Sequence, residues 1–80
     1  MKIPRDISGE KLIKLLKRYG FKITRQTGSH VRLTTTLKGE YNITIPKNKS
    51  LKIGTLNNIL SEVATYLEID KKEIILELFG

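Results

Sequence analysis

The stretch Arg25–Leu33, RQTGSHVRL, predicts a tight β-hairpin with its turn at Gly28-Ser29. Glycine suits the first central position of a type II′ turn, where φ is positive. In the strand after the turn, HVRLTTT, alternation places the apolar Val31 and Leu33 on one face. The other face of this strand then carries three polar side chains: His30, Arg32 and Thr34.

Two further segments extend the hairpin into a meander. Before it, FKITRQT places Phe21 and Ile23 on one face, and after it YNITIP predicts a third strand that Pro46 ends. The segment LKGE closes the second hairpin around Gly39. The apolar side chains of the third strand share one face: Tyr41, Ile43 and Ile45. The sequence therefore predicts a three-stranded antiparallel sheet with one apolar face.

Helical periodicity flanks the predicted sheet. Ser8 suits the N-cap of the segment GEKLIKLLKRYGF, and Gly20 suits its left-handed C-cap. A second helix is predicted from about Gly54, and Asp70-x-x-Glu73 resembles the capping box of a third. The apolar stripes of these helices comprise Leu12, Ile13, Leu15, Leu16, Tyr19, Leu56, Ile59, Leu60, Val63, Leu67, Ile74, Ile75 and Leu78.

The order helix, three strands, helix, helix predicts one α+β domain over residues 1–80. Helices can cover only one face of this sheet, so the other face, here called the open face, meets water or a ligand and carries His30. The first helix also has a basic side, which either follows phosphates or is simply solvated. That side comprises Lys11, Lys14, Lys17 and Arg18.

Charge is unevenly distributed along the chain. The 80 residues carry a net charge of +7. Residues 1–52 hold thirteen basic and three acidic side chains, whereas residues 53–80 hold two basic and five acidic ones. A basic front with an acidic tail favours a nucleic-acid-binding face and a separate surface for another partner. The alternative is an ordinary surface rich in solvated lysines.

Composition excludes several classes of protein. No cysteine is present, which excludes disulfides, thiolate catalysis and thiolate zinc sites. No apolar run is long enough to span a bilayer, and the start MKIPRDISGE lacks the apolar core of a secretory signal, so we expect a cytoplasmic protein without membrane contact. Clustered metal ligands and a glycine-rich phosphate loop are also missing. We therefore expect no metal, cofactor or small-molecule ligand.

The remaining chemistry is metal-free acid–base catalysis on RNA, which carries its own nucleophile in the 2′-OH. Imidazole suits proton transfer near neutral pH, which makes His30 the candidate catalytic residue. Arg32, two residues on and on the same strand face, is placed to hold the phosphate. Further RNA contacts are expected from Ser29, Lys47, Asn48, Lys49 and Lys52. The alternative is that His30 is a solvent-exposed strand residue without a catalytic role.

Nearly the whole chain resembles the HicA-type toxins, the YcfA-like mRNA interferase family. Three segments carry the resemblance: PRDISGEKLIKLLKRYGF, RQTGSHVRL and ITIPKNKSLKIGTLNNIL. The first hallmark is the turn Gly28-Ser29-His30, and the second is the GTL opening of a late helix at Gly54. The resemblance implies a fold like a double-stranded-RNA-binding domain and mRNA cleavage with His30 as catalytic residue. It also implies inhibition by a HicB-type antitoxin.

One position departs from the family pattern. Relatives commonly carry a second histidine in the loop after the third strand, where this chain has Asn48. Asparagine cannot shuttle a proton at neutral pH, so water, a lysine or a second subunit would supply the other proton step. Two alternatives to a ribonuclease toxin therefore stay open. They are a non-catalytic RNA-binding module of the same fold and a protein-interaction subunit that uses its acidic tail.

Overall fold

Three helices and a three-stranded antiparallel sheet make up residues 3–80, the part of the chain that the computed structural model describes. The order is helix, three strands, helix, helix, which confirms the predicted α+β class. The elements are α1 (Gly9–Leu16), a 3₁₀ turn (Lys17–Tyr19), β1 (Lys22–Thr27), β2 (His30–Thr35), β3 (Tyr41–Pro46), α2 (Ile53–Leu67) and α3 (Lys71–Phe79).

Ser8 and Asp70 cap helices as predicted, whereas α1 ends at Leu16 and the predicted C-cap Gly20 ends the 3₁₀ turn that follows it. Ser8 caps α1, because its hydroxyl accepts a hydrogen bond from the backbone N–H of Lys11 at 3.0 Å. Gly20, with a φ of 80°, turns the chain out of the 3₁₀ turn and toward β1. Asp70 caps α3 by accepting a hydrogen bond from the backbone N–H of Lys72 at 2.9 Å. The predicted capping box with Glu73 does not form among the described residues, because Asp70 accepts from Lys72 instead, and α2 begins after Lys52 without a side-chain cap.

The sheet is a simple meander with β2 in the centre. Gly28 has a φ of 55°, as the first central position of the predicted turn requires, and Thr27 pairs with His30 across that turn. On the other side of β2, His30 pairs with Pro46 and Arg32 pairs with Thr44. His30 therefore occupies the end of the central strand, between both edge strands.

The helices cover one face of the sheet, as predicted. Side chains on the covered face, such as Leu33 and Ile45, are fully buried, whereas His30 and Arg32 on the open face are exposed. The core combines this sheet face with apolar positions of all three helices. Its members are Leu12, Ile13, Leu16, Tyr19, Phe21, Val31, Leu33, Ile43, Ile45, Leu51, Leu56, Ile59, Leu60, Val63, Ala64, Leu67, Ile74, Ile75 and Leu78.

Ile23 departs from the prediction that it joins Phe21 on a buried face. Phe21 is 1% exposed, but the side chain of Ile23 is 51% exposed. Ile23 pairs with Leu33 and so faces the helix side of the sheet, but it lies on the edge strand β1. Alternation predicts the face of a side chain and not whether a helix reaches far enough to cover it.

Within residues 3–80, no helix has the length and apolar content needed to cross a membrane.

Candidate RNA-binding face

The open face contains a shallow hollow of about 200 Å³ at the turn end of the sheet. All three strands contribute to it, because its lining consists of Arg25, Thr27, His30, Arg32 and Thr44. We call it the His30 hollow. The five side chains comprise two guanidinium groups, two hydroxyls and one imidazole, and no carboxylate. Such a set offers hydrogen-bond donors and positive charge to an anion.

His30 is the first residue of β2, directly after the turn. Its side chain is exposed, and its ring takes no part in the hydrogen bonds found among the described residues. The same residues, 3–80, contain no group of three or more His, Cys, Asp or Glu side chains placed to hold a metal ion. The imidazole is thus accessible to a ligand on the open face.

A β-bulge in β1 places Arg25 in the His30 hollow. The register between β1 and β2 shifts between Ile23 and Arg25, so that Thr24 is an extra residue opposite β2. Simple alternation would put Arg25 on the same face as Ile23, toward the helices. After the bulge, Arg25 pairs directly with Arg32 and lies on the open face.

Sequence reasoning missed Arg25 because a bulge depends on cross-strand pairing. The signal that was present is the polar run Thr24–Thr27, which breaks the apolar alternation directly after Ile23.

Hydrogen bonds across the open face hold the bulge in place. The hydroxyl of Thr24 contacts that of Thr34 at 2.8 Å and also reaches the carbonyl oxygen of Arg32 at 3.4 Å. The Thr34 hydroxyl in turn donates to Oδ1 of Asn42 at 2.6 Å. This row joins all three strands one step from the His30 hollow. It fixes the strand geometry that positions Arg25 and Arg32.

Three of the predicted RNA-binding residues line a different hollow. Lys47, Asn48 and Lys49 surround a space of about 330 Å³ together with Ser8 and Glu10 at the start of α1. We call it the N-terminal hollow. Among the predicted contacts, the structure therefore brings Arg32 into the His30 hollow and places Lys47, Asn48 and Lys49 beside α1.

Backbone contacts explain the position of this loop. The N–H of Gly9 donates to the carbonyl of Asn48 at 2.9 Å, and the N–H of Lys47 donates to the carbonyl of Ser29 at 2.6 Å. A Cβ on residue 9 would lie 2.1 Å from the Pro46 carbonyl oxygen, so this close approach requires glycine. Ser29 thus links the turn before His30 to the loop after β3.

Lys52 lies further along, at the N-cap position of α2, where its side chain is exposed.

The acidic tail is used largely within the fold. Glu62 accepts a hydrogen bond from the Tyr41 hydroxyl at 2.8 Å, and Glu77 accepts one from the Tyr19 hydroxyl at 2.5 Å. Burial and the hydrogen bond to Glu62 raise the pKa of Tyr41 to about 12. Burial and Glu77 likewise raise the pKa of Tyr19. These carboxylates serve helix packing.

A family model described as HicA toxin of bacterial toxin-antitoxin matches residues 9–64. The chain belongs to the HicA toxin family. The match spans α1, the whole sheet and most of α2, and so includes all five residues of the His30 hollow, whereas α3 lies outside it. Comparisons with curated proteins and with solved structures find no match. Membership in the HicA family implies a toxin that is paired with an antitoxin.

Proposed function

We propose that this chain is a metal-independent mRNA interferase, the toxin of a HicA/HicB-like type II toxin–antitoxin system. The observation that carries the proposal is the His30 hollow, in which an exposed imidazole lies among Arg25, Arg32 and two threonine hydroxyls. Its residues fall inside the region that matches the HicA family. Imidazole and guanidinium together are suited to cleavage of an RNA phosphodiester.

The reaction uses the 2′-OH of RNA as nucleophile. His30 removes the 2′-OH proton while the 2′-oxygen forms a bond to phosphorus. The bond from phosphorus to the 5′-oxygen breaks, and the leaving 5′-oxygen takes a proton from water on the exposed face. The products are a 2′,3′-cyclic phosphate and a 5′-OH, so atoms and charge balance without a metal ion. Arg32 holds the phosphate on the same strand face as His30.

A HicB-like antitoxin is the expected inhibitor. We propose that it covers the His30 hollow and presents acidic groups to Arg25 and Arg32, because a partner that meets a basic surface gains specificity and association rate from opposite charge. Lys47 contacts the turn before His30, and Lys47 and Lys49 extend this basic surface toward α1. The same surface cannot then hold RNA and antitoxin together.

One specific observation favours a second candidate, a non-catalytic RNA-binding module. Asn48 stands where relatives commonly have a second histidine, which leaves His30 as the only imidazole in the chain. However, Asn48 lines the N-terminal hollow and not the His30 hollow. Position 48 is therefore not part of the lining of the His30 hollow, so the catalytic proposal rests on His30 together with Arg25 and Arg32.

The test compares an RNA oligonucleotide with the same oligonucleotide carrying 2′-deoxyribose at the scissile position, both with excess chelator. We expect the RNA to be cleaved to a 2′,3′-cyclic phosphate and the deoxy version to be bound but left intact. Binding of both without cleavage would favour the binding module. Cleavage of the deoxy version, or cleavage that stops with chelator, would contradict the proposed mechanism.

A further inference from the structure

We propose that Arg25 and Arg32 form a two-guanidinium clamp for the scissile phosphodiester, and that Arg25 is a second catalytic residue. The inference rests on the proposed function, because it assigns the clamp to the phosphate on which His30 acts. It adds a residue that neither strand alternation nor the predicted site contained. The clamp supplies what one imidazole cannot, namely positive charge fixed beside the reacting phosphate.

Two like charges are paired across β1 and β2. Arg25 and Arg32 are direct partners in the β1–β2 register and both line the His30 hollow. Side chains directly opposite each other on one sheet face lie about 5 Å apart at Cβ, and like charges in that arrangement destabilise the sheet. Among residues 3–80, the ion pair that forms joins Lys38 and Glu68, so neither arginine is neutralised by a carboxylate.

The bulge at Thr24 creates this charge pair. If β1 were regular, with Thr24 paired as an ordinary strand residue, Arg25 would face the helices and the repulsion with Arg32 would not arise. Instead, the bulge is held by the contacts of Thr24 with Arg32 and Thr34. Bulges are enriched next to active sites, where they redirect a side chain. Here the redirected side chain is Arg25, so a local disruption of the ladder creates the charge pair.

The chemistry of the phosphodiester suits a pair of guanidinium groups. Attack of the 2′-oxygen on phosphorus adds negative charge to the non-bridging phosphate oxygens in the transition state. Guanidinium groups bind such oxygens with paired N–H donors in a planar fork, which an ammonium group cannot do. Two forks on adjacent strands, next to His30, match an anion with two non-bridging oxygens. Donors aimed at developing charge contribute strongly to catalysis.

The first experiment measures binding without cleavage. Arginine Nε–Hε signals in an NMR titration, assigned by their loss in Arg25→Lys and Arg32→Lys, report contact with an oligonucleotide that is 2′-deoxy at the scissile position. We expect the Arg25 and Arg32 signals to shift together and to saturate at the same ligand concentration. An Arg25 signal that stays unchanged while Arg32 shifts would overturn the clamp.

The second experiment separates chemistry from affinity. We expect Arg25→Lys, which keeps the charge but removes the fork, to lower kcat by about 100-fold while KM changes little. The double variant with Arg32→Lys should lose less than the product of the single losses, because both groups act on one phosphate. Lys72→Ala on α3 is the control and should cleave at the wild-type rate. Wild-type kcat in Arg25→Lys would overturn the clamp.

The two proposals fail in different ways. If His30→Ala is inactive while Arg25→Lys cleaves at the wild-type rate, the clamp is wrong and the proposed function stands. If His30→Ala cleaves at the wild-type rate while Arg25→Lys is slow and both arginine signals shift, the role of His30 is wrong and the clamp stands.

Discussion

Among single residues, Arg25 and Arg32 are expected to lower the stability of the sheet through their repulsion while they provide positive charge for phosphate binding. Arg25 and Arg32 are direct neighbours on one sheet face without a carboxylate in the hollow that they line. Removing one of them should relieve repulsion, whereas removing a structural residue should weaken the fold. Substitution of either arginine by an uncharged residue should therefore raise the free energy of unfolding, whereas substitution of a residue that packs in the core should lower it.

We predict that Arg25→Thr is at least as stable as the wild type, with a gain of up to about 1 kcal/mol at low ionic strength. Threonine suits a strand and removes the charge. The gain should shrink as salt is added, because salt screens exposed charges. Urea unfolding of both proteins at two ionic strengths is the measurement. A clear loss of stability would show that Arg25 has a structural role that outweighs the repulsion.

Tyr41 gives a prediction about pH. Its pKa in the folded chain is about 12, whereas free tyrosine ionises near 10. The unfolded chain therefore loses this proton first as the pH rises. The stability contributed by the neutral hydroxyl is complete below about pH 10 and is lost as the pH approaches about 12.

Tyr41→Phe should consequently lose less stability than the wild type over this interval. The comparison is the urea midpoint of both proteins at about pH 9 and about pH 11. Tyr19 titrates in both proteins, so its contribution cancels in the difference. Equal losses in the two proteins would contradict the raised pKa of Tyr41.

The orientation of some residues of the site could be predicted from the sequence, and that of others could not. The faces of His30 and Arg32 follow from the sequence, because β2 is regular and central, so alternation holds along it. The face of Arg25 does not follow, because the bulge at Thr24 arises from pairing with β2 and not from a local preference. Lys47 and Asn48 lie beside α1 because of backbone bonds to Gly9 and Ser29, which are tertiary contacts.

At the scale of elements, α3 lies outside the region that matches the HicA family but is part of the same core. Ile74 is completely buried, whereas Leu76 on the same helix is 53% exposed. The end of α3 is also tied to the 3₁₀ turn, since Arg18 donates to the Glu77 carbonyl at 2.6 Å and Tyr19 donates to the Glu77 carboxylate. Helix α3 therefore contributes to the helical layer that covers one face of the sheet.

We predict that Ile74→Ala lowers the free energy of unfolding by about 2–5 kcal/mol, because it leaves a cavity in the core. Leu76→Ala is the matched control and should change stability by less than about 0.5 kcal/mol. Below its melting temperature, Ile74→Ala should still cleave RNA, since the His30 hollow is formed by the sheet alone. Equal effects of the two substitutions in thermal melting would contradict the packing of α3 described above.

The order of elements was predictable because caps and periodicity are local properties. Ser8 and Asp70 cap the helix starts that the sequence indicates, and Gly20 ends the 3₁₀ turn that continues α1. The exposure of Ile23 was not predictable, since it depends on how far the helices extend over the edge of the sheet.

In the whole molecule, the basic and the acidic side chains have different surroundings. The basic side chains of residues 1–52 include both arginines of the open face. Several acidic groups of residues 53–80 instead bind partners in β3, the 3₁₀ turn and the loop before β3. RNA bound on the open face should therefore release counterions from several phosphates.

We predict a steep salt dependence of RNA affinity, with a slope of about −0.7 per phosphate contact for a single strand. Arg25→Thr and Arg32→Thr should each reduce that slope by about 0.7, whereas Lys72→Ala should leave it unchanged. Fluorescence anisotropy across a salt series, with an oligonucleotide that is 2′-deoxy at the scissile position, measures this. A wild-type slope in both arginine variants would place the phosphates elsewhere on the surface.

We propose that His30 transfers the proton in RNA cleavage on the open sheet face. The most direct test is the single-turnover cleavage rate of wild type and His30→Ala on one RNA oligonucleotide, with the melting temperature of both proteins. We predict a rate loss of at least about 100-fold in His30→Ala with an unchanged melting temperature, because the imidazole is exposed and supports no packing. Cleavage by folded His30→Ala at the wild-type rate would contradict the account.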